Sequence, residues 1–152
     1  MSDPHTEAFK PPLYIQWSSD PAWFNTMSTG GEVTITGLSN IWKKTIGRTR
    51  NYIVIPQTIY DEPVTGIGDY AFSDKQGLVS IDIPASIAHI GNYAFGRCSS
   101  LAVLTCFSTT PPSLGTGIFT CNFSKLKIMV PPQSLSAYKI VWADFASLIF
   151  PH

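Results

Sequence analysis

Short runs of alternating apolar and polar residues recur along the middle of the chain. In the run IDIP, Ile81 and Ile83 flank Asp82, and Pro84 follows. Successive side chains of a β-strand point to opposite faces, so the isoleucines are expected to face a core and Asp82 to face solvent. Comparable runs begin near residues 52, 103 and 126. The pattern therefore predicts a series of short, half-buried strands.

These runs belong to a longer internal repeat, in which each strand continues through Ile-Gly into Tyr-Ala-Phe and ends at a leucine. Five pairs of equivalent positions are each 23 residues apart: Ile67 and Ile90, Phe72 and Phe95, Leu78 and Leu101, Ile81 and Leu104, and Ile83 and Cys106. A degenerate third copy runs from Leu104 to Phe119, with one inserted residue. Such a period predicts a solenoid, because one coil cannot bury its own apolar face whereas stacked coils share a core.

The repeat predicts a right-handed curved solenoid, with short parallel strands on one face and short helical returns on the other. The segment 93–101 is expected to form a helical return, with Ala94 small where the coils crowd. Gly68 and Gly91 are expected at the bend, where the missing Cβ permits a tight change of direction.

The amino-terminal third lacks the repeat and is predicted to close one end of the stack. Gly30 and Gly31 are expected to turn a hairpin into a strand at 33–35. Trp17 and Trp23 are expected to cover the first coil, and stacking of a sugar on either ring is the alternative. Residues 1–12, which are polar and contain proline, are predicted to be a disordered tail.

The carboxyl-terminal end shows a change of period. A last strand near 126–130 precedes two prolines and a helix-like stretch at 133–142, in which Leu135, Tyr138 and Trp142 fall on one face. That face is expected to close the other end of the stack. The chain is thus divided into the tail (1–12), an amino-terminal cap with the first coil (13–51), repeats (52–130) and a carboxyl-terminal capping helix (131–152).

The string IPASIAHIGNYAFGRCSSL carries a family resemblance. It closely resembles the BspA-like, treponemal-type leucine-rich repeats, whose skeleton is IP-x-S-I-x-x-I-G-x-Y-A-F-x-x-C-x-x-L. Cys98 matches the cysteine of that skeleton, whereas Lys75 and Gln76 stand near its place in the first copy. The resemblance implies a leucine-rich repeat solenoid from a bacterial protein, usually secreted or surface-exposed, that adheres to host or bacterial partners without catalysis.

Composition limits the function classes further. Ten basic and ten acidic residues cancel, so no global charge steers the protein toward nucleic acid or an anionic membrane. No basic start followed by an apolar run marks a signal peptide, and no stretch is long enough for a membrane span. A native start at Met1 would place the protein in the cytoplasm, whereas the resemblance implies the cell surface or secretion. Localisation therefore stays open.

Candidate catalytic chemistry is sparse. The three cysteines, Cys98, Cys106 and Cys121, form neither a disulfide framework nor a zinc motif. A nucleophile could be built from Cys98 or Cys106 with His89, but Cys106 stands where the previous copy has the core residue Ile83. His89 occupies a variable position that is expected to face solvent. We therefore expect no enzyme, no cofactor and no metal site.

A basic segment supplies an alternative function. Lys43, Lys44, Arg48 and Arg50 lie within eight residues, next to Trp42. A cationic loop with an aromatic neighbour can bind a polyanion or single-stranded nucleic acid. A solvated connection is favoured, because the neutral chain provides no wider basic surface.

Strand alternation identifies a candidate binding surface on the open face of the strand ladder. Two outward rows are predicted: Val54, Asp82, Thr105 and Met129 in one, and Tyr52, Ser80, Val103 and Lys127 in the other. Phe107 takes the place of Pro84 at the end of its strand and is expected to anchor a contact. Because contiguous exposed apolar rows usually mark a binding site, this face is predicted to bind a protein. Self-association as a homodimer is the other use of the face.

Overall fold

The structure is a computed structural model that describes residues 21–39, 52–120 and 125–152. Its strands are β1 (Phe24–Thr29), β2 (Glu32–Leu38), β3 (Tyr52–Val54), β4 (Thr58–Ile59), β5 (Glu62–Ile67), β6 (Ser80–Ile83), β7 (His89–Ile90), β8 (Val103–Cys106), β9 (Ser113–Leu114), β10 (Lys127–Val130) and β11 (Ile149–Pro151). Helix α1 spans Leu135–Val141, and 3₁₀ turns occur at Pro21–Trp23, Pro132–Ser134 and Ala143–Leu148.

The strands form two sheets that share one core. Sheet I has the order β1-β2-β5-β7-β9, with β4 attached to β5, and sheet II has the order β3-β6-β8-β10-β11. Pairing is parallel throughout sheet II and from β2 to β9 in sheet I. Each repeat gives a strand to sheet II and then one to sheet I, as a coil that stacks on its neighbours must. The predicted ladder of short parallel strands is confirmed, while its right-handed curvature stays a prediction.

The amino-terminal hairpin is confirmed. Strands β1 and β2 pair antiparallel around Gly30 and Gly31, whose φ values of 62° and 81° require residues that tolerate the left-handed region. Trp23 and Phe24 are buried, in keeping with an aromatic cover for the first coil. Trp17 lies outside the described residues, so its proposed sugar contact stays a prediction.

The returns between coils are turns, so the prediction of helical returns is wrong. Segments 69–74 and 92–97 are successive turns, with left-handed backbone at Tyr70, Asp74, Tyr93 and Arg97. Their alternate N–H groups bond to the next coil instead of to their own turn, as in Tyr70 N–H to the Asn92 carbonyl at 2.9 Å. A helix would use those donors internally and break this contact between coils.

Aromatic rings stack along the core from coil to coil. Phe72 and Phe95 are 5.5 Å apart with nearly parallel planes, and Phe119 continues the stack 5.9 Å beyond Phe95. Phe145, from the carboxyl-terminal region, meets Phe119 edge to face at 5.1 Å. The repeated phenylalanine at the 23-residue spacing therefore forms the interior column that joins the coils.

A second column is polar. The carboxylate of Asp69 accepts the Asn92 N–H at 2.7 Å, and the Asn92 side-chain oxygen accepts the Thr116 N–H at 2.8 Å. These residues fill the variable position after each Ile-Gly, which the repeat alone leaves unexplained. Their shared acceptor oxygens fix the register of successive turns.

Gly91 is needed for space. Its φ is not in the left-handed region, but an added Cβ would lie 2.5 Å from the Asp69 backbone nitrogen and 2.6 Å from the Gly68 carbonyl carbon. Gly91 follows β7 at the predicted bend. The physical reason is close approach of two coils rather than freedom of rotation.

The carboxyl-terminal segment contains more than a helix. Tyr138 and Trp142 of the predicted helical face are buried, and their polar groups donate to the carbonyls of Ser108 and Pro112 at 2.8 and 2.9 Å. Strand β11 follows, which the sequence analysis did not predict, and pairs with β10 at the edge of sheet II. The role of α1 as a cap stays a prediction.

Candidate protein-binding face

Sheet II brings the predicted surface residues into two rows. Cross-strand pairing aligns Tyr52, Ser80, Val103 and Lys127 in the first row, and Val54, Asp82, Thr105 and Met129 in the second. Intervening residues such as Ile81 and Leu104 are fully buried, whereas residues of both rows remain at least partly accessible. We call the eight row residues together with Phe107 the sheet II face.

The sheet II face mixes apolar and polar groups. Val103 lies between Ser80 and Lys127, and Thr105 lies between Asp82 and Met129. Burial, and secondarily the nearby Asp82 carboxylate, raise the pKa of the Tyr52 hydroxyl, which is therefore neutral at physiological pH. Such a mixture is typical of the surfaces that non-obligate protein complexes bury.

Phe107 stands at the rim of this face. It directly follows β8, its side chain is 43% exposed, and its ring centroid lies 5.4 Å from that of His152. Beside it is a groove of about 370 Å³ that Val54, Asp82 and Pro84 help to line. An exposed ring next to a groove has the geometry of an interface anchor.

Phe150 extends the second row, and sequence reasoning missed it. It pairs with Met129 across β10 and β11, is 42% exposed, and lies 5.9 Å from the Lys127 ammonium. The signal was the string LIFP, whose alternation and final proline match IDIP. A buried Ile149 beside an exposed Phe150 confirms that the same alternation holds there.

The residues weighed for catalysis lie in separate surroundings. His89 is exposed on sheet I, and its Nδ1 is 2.8 Å from the Ser113 hydroxyl oxygen. Cys98 is buried and its thiol donates to the Phe72 carbonyl at 3.0 Å. Burial raises the pKa of the Cys98 thiol, and it raises that of the Cys106 thiol to about 12. Both thiols are therefore protonated at neutral pH and are poor nucleophiles.

The buried Cys106 thiol predicts a loss of stability at alkaline pH. Its folded pKa exceeds its unfolded value, so the unfolded chain releases the proton first, and stability falls as pH rises from the unfolded value toward about 12. Between pH 9 and 11, urea unfolding should show a steeper decline for the natural chain than for Cys106→Val, by up to about 1.4 kcal/mol per pH unit. Equal slopes in the two proteins would show that Cys106 does not contribute.

Several candidates lie outside the described residues. They are the basic segment Lys43, Lys44, Arg48 and Arg50, together with Trp17 and Cys121. Polyanion binding through the basic segment stays a prediction. Within the described ranges, no group of three or more His, Cys, Asp or Glu side chains is placed to hold a metal ion.

Comparison with known families identifies the repeat. A family model described as BspA type leucine rich repeat region matches residues 49–142 with six copies, which is more than half of the chain. The chain belongs to the BspA-type leucine-rich repeat family. Leucine-rich repeat proteins are generally non-enzymatic interaction modules, and BspA-type members are commonly surface-exposed or secreted. No curated protein is significantly similar in sequence.

Solved bacterial structures support the leucine-rich repeat fold. A leucine-rich repeat protein from T. pallidum is 21% identical with a TM-score of 0.54, over 76% of this chain and 61% of that one. One from Bacteroides capillosus is 19% identical with a TM-score of 0.57, over 88% and 97%. A leucine rich cell surface protein from Faecalibacterium prausnitzii is 23% identical with a TM-score of 0.50, over 88% and 29%. The chain thus spans less than two thirds of the first and third proteins.

Helices long and apolar enough to cross a membrane are absent from the described part of the chain. Helix α1 has seven residues.

Proposed function

We propose that this BspA-type chain is a non-catalytic module that binds a protein partner through the sheet II face. The observation that supports the proposal best is the register of sheet II, which aligns accessible side chains of successive coils in two continuous rows. Neighbouring strands are only about 4.8 Å apart, so the rows form one patch rather than isolated side chains.

The patch has a centre and a rim, as expected of an interface. Val103 and Met129 supply apolar surface on the inner strands β8 and β10, and Phe107 supplies an aromatic edge. Asp82 and Lys127 supply one charge of each sign, which would orient a partner without a strong net field. A host or bacterial protein at the cell surface is the proposed partner, in keeping with the usual location of the family. A homodimer through the same face is the competing arrangement.

The first experiment measures molar mass by light scattering for the natural chain and for the double variant Val103→Glu/Met129→Glu. Two buried carboxylates would make self-association through the face unfavourable, so a dimer should become a folded monomer. The matched control is Met27→Glu/Ile140→Glu, which places the same charges at apolar side chains that are 57% and 76% exposed outside the face. A dimer that survives the first variant does not use the sheet II face.

A monomeric natural chain leaves the face free for another protein. A photo-crosslinking amino acid at Val103 would then identify the partner, whose affinity is measured with purified proteins. We expect Val103→Glu/Met129→Glu to weaken binding about 100-fold and the control variant to change it less than about threefold. Equal affinities of the two variants for the crosslinked partner would contradict the proposal.

A further inference from the structure

The turns on the side away from both sheets form a ladder of backbone hydrogen bonds between coils. In each rung, the N–H groups of alternate residues donate to carbonyls of the following coil. The bonds run from Tyr70 to Asn92 (2.9 Å), Phe72 to Ala94 (2.8 Å), Asp74 to Gly96 (2.9 Å), Tyr93 to Thr116 (2.9 Å), Phe95 to Ile118 (3.1 Å) and Arg97 to Thr120 (2.8 Å). The direction is the same in every rung, so each coil depends on the next one for its acceptors.

The third coil has no such successor. Gly117 occupies the position of Tyr93 with a similar left-handed φ, 62° against 53°, and Phe119 occupies the position of Phe95. Their N–H groups therefore point away from the second coil. Neither N–H has a hydrogen-bond acceptor among the described residues. Because backbone donors are almost always paired in folded proteins, this open row is a place where an external acceptor would be stabilised.

A cleft lies where the next turn would stack. It has a volume of about 470 Å³ and is lined by residues 114–117 on one side and 141–145 on the other. Phe145 continues the phenylalanine column by covering Phe119, but the segment that carries it supplies no carbonyl to the open row. The carboxyl-terminal segment thus covers the core and leaves the turn ladder unfinished.

The lining of the cleft indicates what would fit. Among the described residues that line it, Asp144 alone is ionisable, and its side chain is exposed. Val141, Leu114 and Phe145 add apolar surface around it. The open donors alternate along the chain, two residues apart, and an extended peptide presents the carbonyls of alternate residues along one side. A carboxylate at the same place favours a cationic side chain in that peptide.

We propose that this cleft binds an extended segment of a partner protein, which continues the turn ladder by accepting hydrogen bonds from the N–H groups of Gly117 and Phe119. A lysine or arginine of the segment lies beside Asp144, and a small apolar side chain lies against Leu114 and Phe145. This mode is strand addition to an open backbone edge, in which main-chain bonds supply affinity and pockets supply selectivity. The site is separate from the sheet II face, so the two surfaces can be tested independently.

The test begins with a displayed library of linear dodecapeptides, selected on the natural chain and counter-selected on Ala143→Trp, which fills the cleft. The most enriched peptide is then made synthetically and titrated by fluorescence polarisation. We expect a basic residue in the enriched peptide, and a loss of affinity of more than about tenfold with Ala143→Trp. The same substitution at Ala137, an exposed position of α1 that does not line the cleft, should leave affinity unchanged.

Two further measurements distinguish the proposed mode from other binding. In the complex, the amide protons of Gly117 and Phe119 should shift downfield in nitrogen–proton NMR correlation spectra, as new hydrogen-bond donors do. Asp144→Lys should weaken the basic peptide at least about fivefold through charge reversal. Failure to enrich any peptide, or shifts confined to the sheet II face, would overturn the cleft proposal. Val103→Glu/Met129→Glu should leave peptide binding intact, so failure of either proposal is seen separately.

Discussion

Phe95→Ala is expected to lower the free energy of unfolding by about 3–5 kcal/mol. Phe95 is fully buried and stacks on Phe72 on one side and on Phe119 on the other. Its removal takes away contacts with both neighbouring coils and leaves a cavity that rigid strands on two sheets cannot close. For a domain of this size the melting temperature should fall by about 10 °C.

Chemical denaturation followed by circular dichroism measures this loss. Phe107→Ala is the matched control, since it removes the same atoms from a side chain that is 43% exposed. We expect it to cost less than about 1 kcal/mol, while it weakens binding at the sheet II face. If the two variants are equally destabilised, the phenylalanine column does not hold the coils together.

The two rows of the sheet II face could be predicted because they depend on simple spacing. Asp82 and Thr105 are 23 residues apart and pair directly across β6 and β8. Val54 and Asp82 are 28 residues apart, yet they also pair, because both stand immediately before an Ile-Pro dipeptide. The five extra residues of the first coil are accommodated in the hairpin of β4 and β5, away from sheet II.

The turns could not be predicted from the same pattern. Tyr-Ala-Phe followed by a cysteine and a leucine places apolar residues at helix-like intervals, which favours a helical return. What decides the conformation is a partner outside the segment, since the Tyr93 and Phe95 N–H groups bond to the next coil. Local periodicity carries no information on that partner, and the side-chain acceptors Asp69 and Asn92 occupy a position that varies between copies.

The unfinished ladder has the same origin. The sequence shows that the third copy loses its Tyr-Ala pair, which suggests only that the repeat decays. An added Cβ at Gly117 would meet the Tyr93 ring, so this glycine is where the tyrosine of the previous coil packs. The carboxyl-terminal segment then supplies an aromatic ring to the core and a strand to sheet II, but no turn. Two faces and one end of the stack are finished, and the third side stays open to a peptide.

Gly91→Ala is expected to destabilise the chain by about 3 kcal/mol, because the new Cβ would have to push two coils apart. The contacting atoms are backbone atoms of Gly68 and Asp69, which cannot move like the end of a flexible side chain. The shift would also disturb the hydrogen bond from the Asn92 N–H to the Asp69 carboxylate. A local substitution should therefore weaken the register on which the sheet II face depends.

Two other glycines separate crowding from backbone conformation. Gly30 has open space around its Cβ position but a φ of 62°, so Gly30→Ala should cost about 1 kcal/mol through φ alone. Gly77 has open space and no left-handed φ, so Gly77→Ala should be neutral or stabilise by up to about 1 kcal/mol. Urea unfolding of the three variants should rank Gly91 as the most sensitive and Gly77 as the least. A Gly91 variant as stable as the Gly77 variant would mean that the coils do not approach as closely as the structure places them, and the alignment of the binding rows would then need another explanation.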